Sequence, residues 1–292
     1  MDFLSVIVRS LNEPFINEFI EHYLSEGADK IYIIIDGNNN LSEKHKSNNQ
    51  ITTYKATFIK HDEQLKDVQK IYRKIQNKTE WLIFVDADEF IITRRHAKKK
   101  IREEIGDNFK NCDLIRVPWV MFSSHGRDSY ETILGLRKWD PKSLRSDNVY
   151  RWNHDRRHPH PFNWEKGRCR YQAIETKSIF RPKRFENIYH CHFPKPSSEN
   201  IICVDGVDGL EAPISYLYKG FREAQISRAF FTCNHYRIPS FESCVRKTKY
   251  NKLSGYNTEK ALKNLICTDY AEIHDDLANR RLNRSQTAST RN

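Results

Sequence analysis

Four short runs rich in β-branched and aliphatic residues, set apart by turns and helical patterns, constrain this chain more than any other feature. They are Phe3 to Val8, Lys30 to Ile35, Ile51 to Ile59 and Trp81 to Val85. Such alternation is the mark of a parallel sheet covered by helices. After the first run Pro14 can open a helix in which Phe15, Phe19, Ile20, Tyr23 and Leu24 form one stripe, and Gly27 is placed to end it. The second run stops at the turn-forming string Asp36-Gly37-Asn38-Asn39-Asn40. The third is followed by Leu65, Val68, Ile71, Tyr72 and Ile75 at helical spacing. The fourth is an unbroken apolar run, as expected of a strand buried on both faces. The predicted class is α/β, a Rossmann-like, mostly parallel central sheet flanked by helices.

Beyond about residue 110 the pattern changes. Strand-like pieces at Leu114 to Phe122, Thr132 to Leu136 and Lys177 to Phe180 are separated by polar connections rich in His and Arg. Helical patterns return at Ile214 to Phe230 and at Ser240 to Asn264, with Pro239 and Ser240 suited to a helix start. A smaller mixed region, followed by C-terminal helices, is therefore expected beside the central sheet in sequence order. With 292 residues, 38% of them hydrophobic, the chain can bury one substantial core. This predicts one domain over residues 1–270, with 271–292 a polar, basic, flexible tail.

Charge and cysteine narrow the function classes. The balance of 49 Lys and Arg against 38 Asp and Glu gives +11, which favours an anionic partner without choosing among nucleic acid, lipid headgroup and phosphorylated small molecule. Part of the excess lies in Arg94 to Arg102, expected to be the solvated face of a helix. Seven scattered cysteines without a C-x-x-C pair point to neither a disulfide framework nor a cysteine zinc site. No apolar run approaches the roughly 20 residues that span a bilayer, and the N-terminus lacks the basic start and apolar middle of a signal peptide. The expectation is a cytoplasmic protein with no membrane span, as in a bacterium or a virus acting in host cytosol.

Two of the predicted strands end in acid, Asp36 on the second and Asp86 on the fourth, where α/β sheets bind ligands at their carboxyl edge. Asp86 and Asp88 are two apart, so an extended segment projects both carboxylates to one side with Ala87 turned away. Hard divalent cations such as Mn²⁺ or Mg²⁺ take oxygen ligands and commonly share one or two carboxylates with substrate phosphates. Acidic residues also cap turns routinely, so the pair gains weight from the buried strand before it and from Glu89-Phe90 after it.

Val8-Arg9 with Asn12-Glu13, Glu18-Phe19, His22-Tyr23, Gly27, Asp36, Gln69 ahead of Tyr72, and Trp81 to Phe90 together resemble the GT-A glycosyltransferases of the family 2 and family 92 type. The resemblance runs on through Trp119 to Gly126, through Lys177 to Pro182 with His190 and His192, and into Asn234-His235-Tyr236. It implies a GT-A fold with a nucleotide-sugar-binding half at 1–110 and an acceptor-binding half at 111–270. It also implies that Arg9, Glu13 and Asp36 lie around the nucleoside with Gln69 near it, and that Ala87, Lys177 and His190 join the donor site. Asp86, Asp88 and His235 would hold the metal and diphosphate.

The activity so implied is transfer of a sugar, with inversion, from a nucleotide-diphosphate donor of the UDP-sugar kind to a hydroxyl of a glycan or glycoconjugate. Inversion needs a carboxylate base near the acceptor, for which Asp128, Glu165, Asp205 and Asp208 are candidates in no firm order. The His and Arg segment containing His154, His158 and His160 lacks zinc-ligand spacing. Trp152 and Trp164 among polar neighbours suit a sugar-binding groove. A nucleic-acid-binding reading through bases and aromatics leaves the acidic cluster unexplained, so no nucleic-acid partner is expected. A sugar nucleotidyltransferase is disfavoured because Ser10 to Glu13 lacks a glycine-rich phosphate loop.

Overall fold

The computed structural model describes residues 1–37, 40–58, 60, 63–123, 143–153, 173–215, 217–219, 222–238 and 273–289. Its strands are β1 (Asp2–Leu11), β2 (Lys30–Asp36), β3 (Ile51–Lys55), β4 (Thr79–Asp86), β5 (Glu89–Thr93), β6 (Leu114–Ser123), β7 (Tyr150–Arg151), β8 (Ala173–Phe180), β9 (Phe185–His190), β10 (Phe193–Pro196), β11 (Cys203–Asp205), β12 (Leu217–Lys219), β13 (Phe231–Ile238) and β14 (Ile273–His274). The longer helices of the first half are α1 (Ile16–Ser25), α3 (Leu65–Ile75) and α4 (Ile101–Asn108), with the single turn α2 at Glu43–Lys46. The chain divides into two compact units. The first comprises Met1–Trp119, Glu175–Tyr218 and Gln225–Cys233; the second comprises Val120–Ile174, Lys219–Ala224 and Asn234–Asn292.

In the first unit the sheet runs in the order β6-β8-β4-β1-β2-β3, with β11 beside β6. β1, β2, β3 and β4 are mutually parallel, as β-branched runs joined by helical crossovers require. β8 enters antiparallel between β4 and β6, pairing Ile83 with Ile179 and Ile115 with Ile179. This is the expected α/β, GT-A-like arrangement of a mostly parallel central sheet flanked by helices.

Both faces of the sheet are buried. On one, Val68, Ile71, Tyr72 and Ile75 of α3 pack against Ile7, Ile34, Leu82, Phe84 and Phe180. The Tyr72 hydroxyl lies 2.7 Å from the Pro182 carbonyl and 2.8 Å from that of Phe185, so a buried polar tip is satisfied. α1 buries Phe19, Ile20, His22 and Tyr23, and the Phe19 ring meets Tyr23 at 4.6 Å and Phe90 at 5.9 Å. The helix ends at Gly27, which has φ +92°; a Cβ there would stand 2.8 Å from Cβ of Arg102. Any other residue meets both the left-handed backbone penalty and a collision.

Several sequence expectations are corrected. β3 stops at Lys55 and does not reach Ile59, because the Thr57 and Phe58 N–H groups donate to the Asp67 carboxylate, not to a neighbouring strand. Arg94 to Lys100 is not helical. The Arg94 and Arg95 amides donate to the carbonyls of Phe230 and Ala229, and the helix begins only at Ile101. The charges of that run are engaged locally: Arg95 stacks 3.8 Å over the Phe230 ring, His96 meets Glu104 at 2.9 Å and Lys99 meets Asp107 at 2.8 Å. The helix expected over Ile214 to Phe230 is replaced by β12 and a single turn at Glu223–Ile226. Tyr-Leu-Tyr favours a strand, and Gly220 interrupts the helical pattern. Thr132 to Leu136 and Ser240 to Asn264 lie outside the described residues.

The second unit pairs β7 with the end of β6 and with β14. Its buried centre holds the Arg151 guanidinium between Glu223 at 2.5 Å and Asp275 at 2.6 Å. Leu277–Ser289, in the stretch expected to be a flexible tail, forms a helix. No helix among the described residues is long and apolar enough to cross a membrane.

Candidate active site

The carboxyl ends of β1, β2 and β4 bring Arg9, Asp36 and Asp86 to one edge of the first unit, since Arg9 is in register with Asp86 on one side and Leu11 with Asp36 on the other. The Arg9 guanidinium is nearly sealed from solvent. It lies 2.5 Å from Asp36 and 3.6 Å from Asp67, and donates to the Phe58 carbonyl at 2.6 Å. Burial alone would raise the Asp67 carboxyl, but the Phe58 and Thr57 amides outweigh it and hold the group below the ordinary carboxylate range. One arginine thus crosslinks the ends of β1 and β2 to the start of α3.

The turn after β4 is built around Glu89. Its Oε2 accepts the Asp86 N–H at 2.8 Å and faces the Lys177 ammonium at 2.9 Å; its Oε1 accepts the Trp119 indole N–H at 2.8 Å. Its backbone carbonyl accepts the Tyr23 hydroxyl at 3.1 Å, and that hydroxyl accepts the Ile91 N–H. The His22 Nε2–H donates to the Ile91 carbonyl at 2.8 Å. Two residues of α1 therefore fix β5 and, through it, the acidic turn.

Lys177 comes from β8, is fully enclosed, and reaches Asp86 at 3.4 Å and the Cys191 carbonyl at 3.1 Å. Burial works against its charge, yet Asp86 and Glu89 overcome this and hold its proton more tightly than an ordinary lysine does. Burial pushes the Glu89 carboxyl the other way from a surface acid, up to about 8, with Lys177 opposing and Asp86 and Asp88 adding to the rise. Ala87 and Asp88 are buried, while the Asp86 side chain is 52% exposed and faces outward as the open carboxylate of the turn.

The other expected residues fall variously. Glu13 accepts the Phe15 N–H at 3.3 Å and so caps the approach to α1 at the end of β1. Gln69 of α3 engages the backbone N–H and carbonyl of Ile188, which ties its amide to β9. His190 ends β9, and its Nδ1 accepts the His192 N–H at 3.2 Å. Burial lowers the His190 imidazole below its usual value. His235 is a buried residue of β13 that belongs to the second unit. Asp208 is exposed and accepts the Leu210 N–H in a turn. Asp205 is buried and accepts the Val207 N–H. Asp128 and Glu165 lie outside the described residues.

Among the described residues, no group of three or more His, Cys, Asp and Glu side chains is placed to hold a metal by itself. The donor set still fits one mode of binding. Mg²⁺ and its like are commonly held by one or two carboxylates together with substrate phosphates, not by an all-protein cage, and the open Asp86 beside Asp88 is of that kind.

Sequence reasoning gave no role to Glu89, Trp119 or Glu175. Glu89 is legible only as a third acid in Asp86-Ala-Asp88-Glu89. Glu175 shares strand parity with Lys177, the signal that would have placed both on one face.

No family model matches the chain, and no curated protein matches it. Solved structures offer distant likenesses. A 4-diphosphocytidyl-2C-methyl-D-erythritol synthase from Anaerococcus prevotii matches at 10% identity and TM-score 0.28, covering 48% of this chain and 60% of that one. A glycosyltransferase involved in glycosylation of the major capsid of PBCV-1 matches at 16% identity and TM-score 0.24, covering 40% of this chain and 52% of that one. The chain thus spans little more than half of each, and neither likeness bears on its reaction.

Proposed function

We propose that this chain is a glycosyltransferase that takes a sugar from a nucleotide-diphosphate donor, a UDP-sugar, and passes it to a hydroxyl of a glycan or glycoconjugate. The observation that carries the reading is the convergence of Arg9, Asp36 and Asp86 on the carboxyl edge of three parallel strands, with Asp86 open and Asp88 next to it. Ligands of open α/β sheets bind at that edge.

Asp86 and Asp88 would hold Mn²⁺ or Mg²⁺, which supplies positive charge to the leaving diphosphate. The chain's own part is to fix those carboxylates. Glu89 closes the turn onto the Asp86 amide, and Lys177 adds a permanent cation at the same edge. A dry, preorganised cation stabilises developing negative charge more than a solvated one does. Arg9 and Asp36, paired with each other at that edge, would shape the floor on which the nucleoside rests.

Thermal denaturation with UDP and Mn²⁺ tests the reading. Specific binding raises the melting temperature by mass action, and Asp88→Asn is expected to abolish the shift. Absence of any shift in the parent protein with UDP, GDP or CDP would refute the donor site. A screen of nucleotide sugars with Mn²⁺, read by release of nucleoside diphosphate, then identifies the donor. Pyrophosphate release from a nucleoside triphosphate and a sugar 1-phosphate would instead mark a nucleotidyltransferase.

A further inference from the structure

The donor side leaves open which group removes the proton from the attacking hydroxyl, and the first unit holds a carboxylate placed for it. Glu175 lies on β8, the strand next to β4. With Ile83 paired to Ile179 in an antiparallel register, carrying the pairing on at the same register sets Lys177 level with Val85. Glu175 then stands one step beyond the Asp86 end of β4, past the carboxyl edge of the sheet. Glu175 and Lys177 are two apart on one strand, so they share a face. Lys177 is the residue that touches Asp86.

The Glu175 side chain is 41% exposed, and one of its oxygens faces Nε2 of His192 at 3.3 Å. The His192 ring is nearly sealed. Its Nδ1–H donates to the Thr176 carbonyl at 3.1 Å, and its ring meets the edge of Trp119 at 5.2 Å. Trp119 in turn donates to Glu89. The imidazole is therefore oriented from two sides, and its Nε2 meets the carboxylate. One oxygen of Glu175 meets that nitrogen, and the side chain as a whole stays 41% exposed. An open carboxylate held by an oriented histidine is an arrangement suited to general-base work.

Other acids of the unit are placed less well. Asp205 is buried on β11, three strands from β4 in the order β4-β8-β6-β11, which is about 14 Å at the usual strand spacing. Asp208 caps an exposed turn.

We propose that Glu175, positioned by His192, is the base that activates the acceptor hydroxyl. The proposal rests on the donor-site reading above. The hydroxyl proton passes to the Glu175 carboxylate as the hydroxyl oxygen bonds to the anomeric carbon. The bond from that carbon to the diphosphate oxygen breaks, and its electron pair leaves with the nucleoside diphosphate. The proton on Glu175 then passes to solvent. His192 is a positioning residue in this scheme, and the acceptor is any hydroxyl, water included.

The experiment compares the parent protein with Glu175→Gln and Glu175→Asp, using a panel of UDP-sugars with Mn²⁺. Binding is read from the shift in melting temperature with UDP and Mn²⁺, and turnover from UDP release into water. Glu175→Gln is expected to keep the parent's UDP-induced shift and donor KM while kcat falls by about 10²- to 10⁴-fold, the usual share of a general base. Glu175→Asp, with its carboxylate withdrawn by one methylene, is expected to fall between the two. Because Glu175 is half-exposed, both variants are expected to melt close to the parent without ligand. A parent that shows no UDP-induced shift defeats the donor reading, and this proposal falls with it. A parent that binds UDP and hydrolyses no donor overturns the base alone, since a base here acts on water as on any hydroxyl. Turnover by Glu175→Gln within tenfold of the parent overturns it too. If Glu175→Gln does not fold, parent-like turnover in Glu175→Asp together with full activity in His192→Gln likewise overturns the assignment.

Discussion

The Lys177 ammonium lies 2.9 Å from the Glu89 carboxylate, and neither side chain reaches solvent. Taking two charges out of water is costly, and their attraction repays this only while both are present. Lys177→Met is therefore expected to lower unfolding free energy by about 3–5 kcal/mol, the usual cost of orphaning one partner of a buried pair. Adding Glu89→Gln to it should recover part of the loss. Urea unfolding at about pH 9, above the Glu89 value of about 8 so that both groups carry their charge, measures both. A cost near zero for Lys177→Met would mean that Asp86 and Glu89 do not depend on its charge.

The raised Glu89 carboxyl gives stability a pH dependence of definite sign. Burial moves it up to about 8 from an ordinary value of 4.5. Between those values the folded protein holds a proton that the unfolded chain has released, so the unfolding free energy falls as pH rises, and it levels off above the folded value. Asp205, raised by burial to about 6, acts in the same direction over a narrower range. Asp29 and Asp67, lowered on folding, act oppositely and only at acid pH. His45 and His190, lowered by burial from an ordinary value of 6.5, act oppositely up to about that value, so the window from about pH 7 to 8 isolates Glu89. Melting temperature there should decline in the parent and stay flatter in Glu89→Gln; equal slopes would remove the protonation argument.

Gly37 follows Asp36 at the end of β2 and has φ +75°. A Cβ there would stand 2.4 Å from Oδ1 of Asn12, itself in the left-handed region at φ 46°. Gly37→Ala meets a backbone penalty of about 1–2 kcal/mol before the collision is counted. The turn must shift, and the Asp36 carboxylate with it. The expected outcome is a modest fall in melting temperature and a larger relative loss of the UDP-induced shift, measured in one thermal titration.

The sheet was legible because its strands are patterned locally. Phe3 to Val8, Lys30 to Ile35 and Trp81 to Val85 carry their own period and their own stops, and each forms a strand at that place. Where partners decide the structure, the pattern failed. Arg94 and Arg95 look helical by composition, but their amides are taken by Phe230 and Ala229, more than a hundred residues away. Asp86 was legible as a strand-end acid. The support of its turn was not, since Lys177, Trp119 and Tyr23 converge on Glu89 from three separate elements. No local spacing records that convergence.

Two buried tyrosines separate stability from function. The Tyr23 hydroxyl sits between the Glu89 carbonyl and the Ile91 N–H, whereas that of Tyr72 serves the carbonyls of Pro182 and Phe185 on the other side of the sheet. Tyr→Phe at either position keeps the ring packed and leaves backbone groups unpaired, at a cost of about 1–3 kcal/mol. Both variants should therefore melt lower by similar amounts. Only Tyr23→Phe loosens the strand that carries Glu89, and through Glu89 the amide of Asp86. UDP with Mn²⁺ is accordingly expected to stabilise Tyr72→Phe as much as the parent and Tyr23→Phe less. Equal ligand-induced shifts in the two variants would show that α1 does not govern the acidic turn.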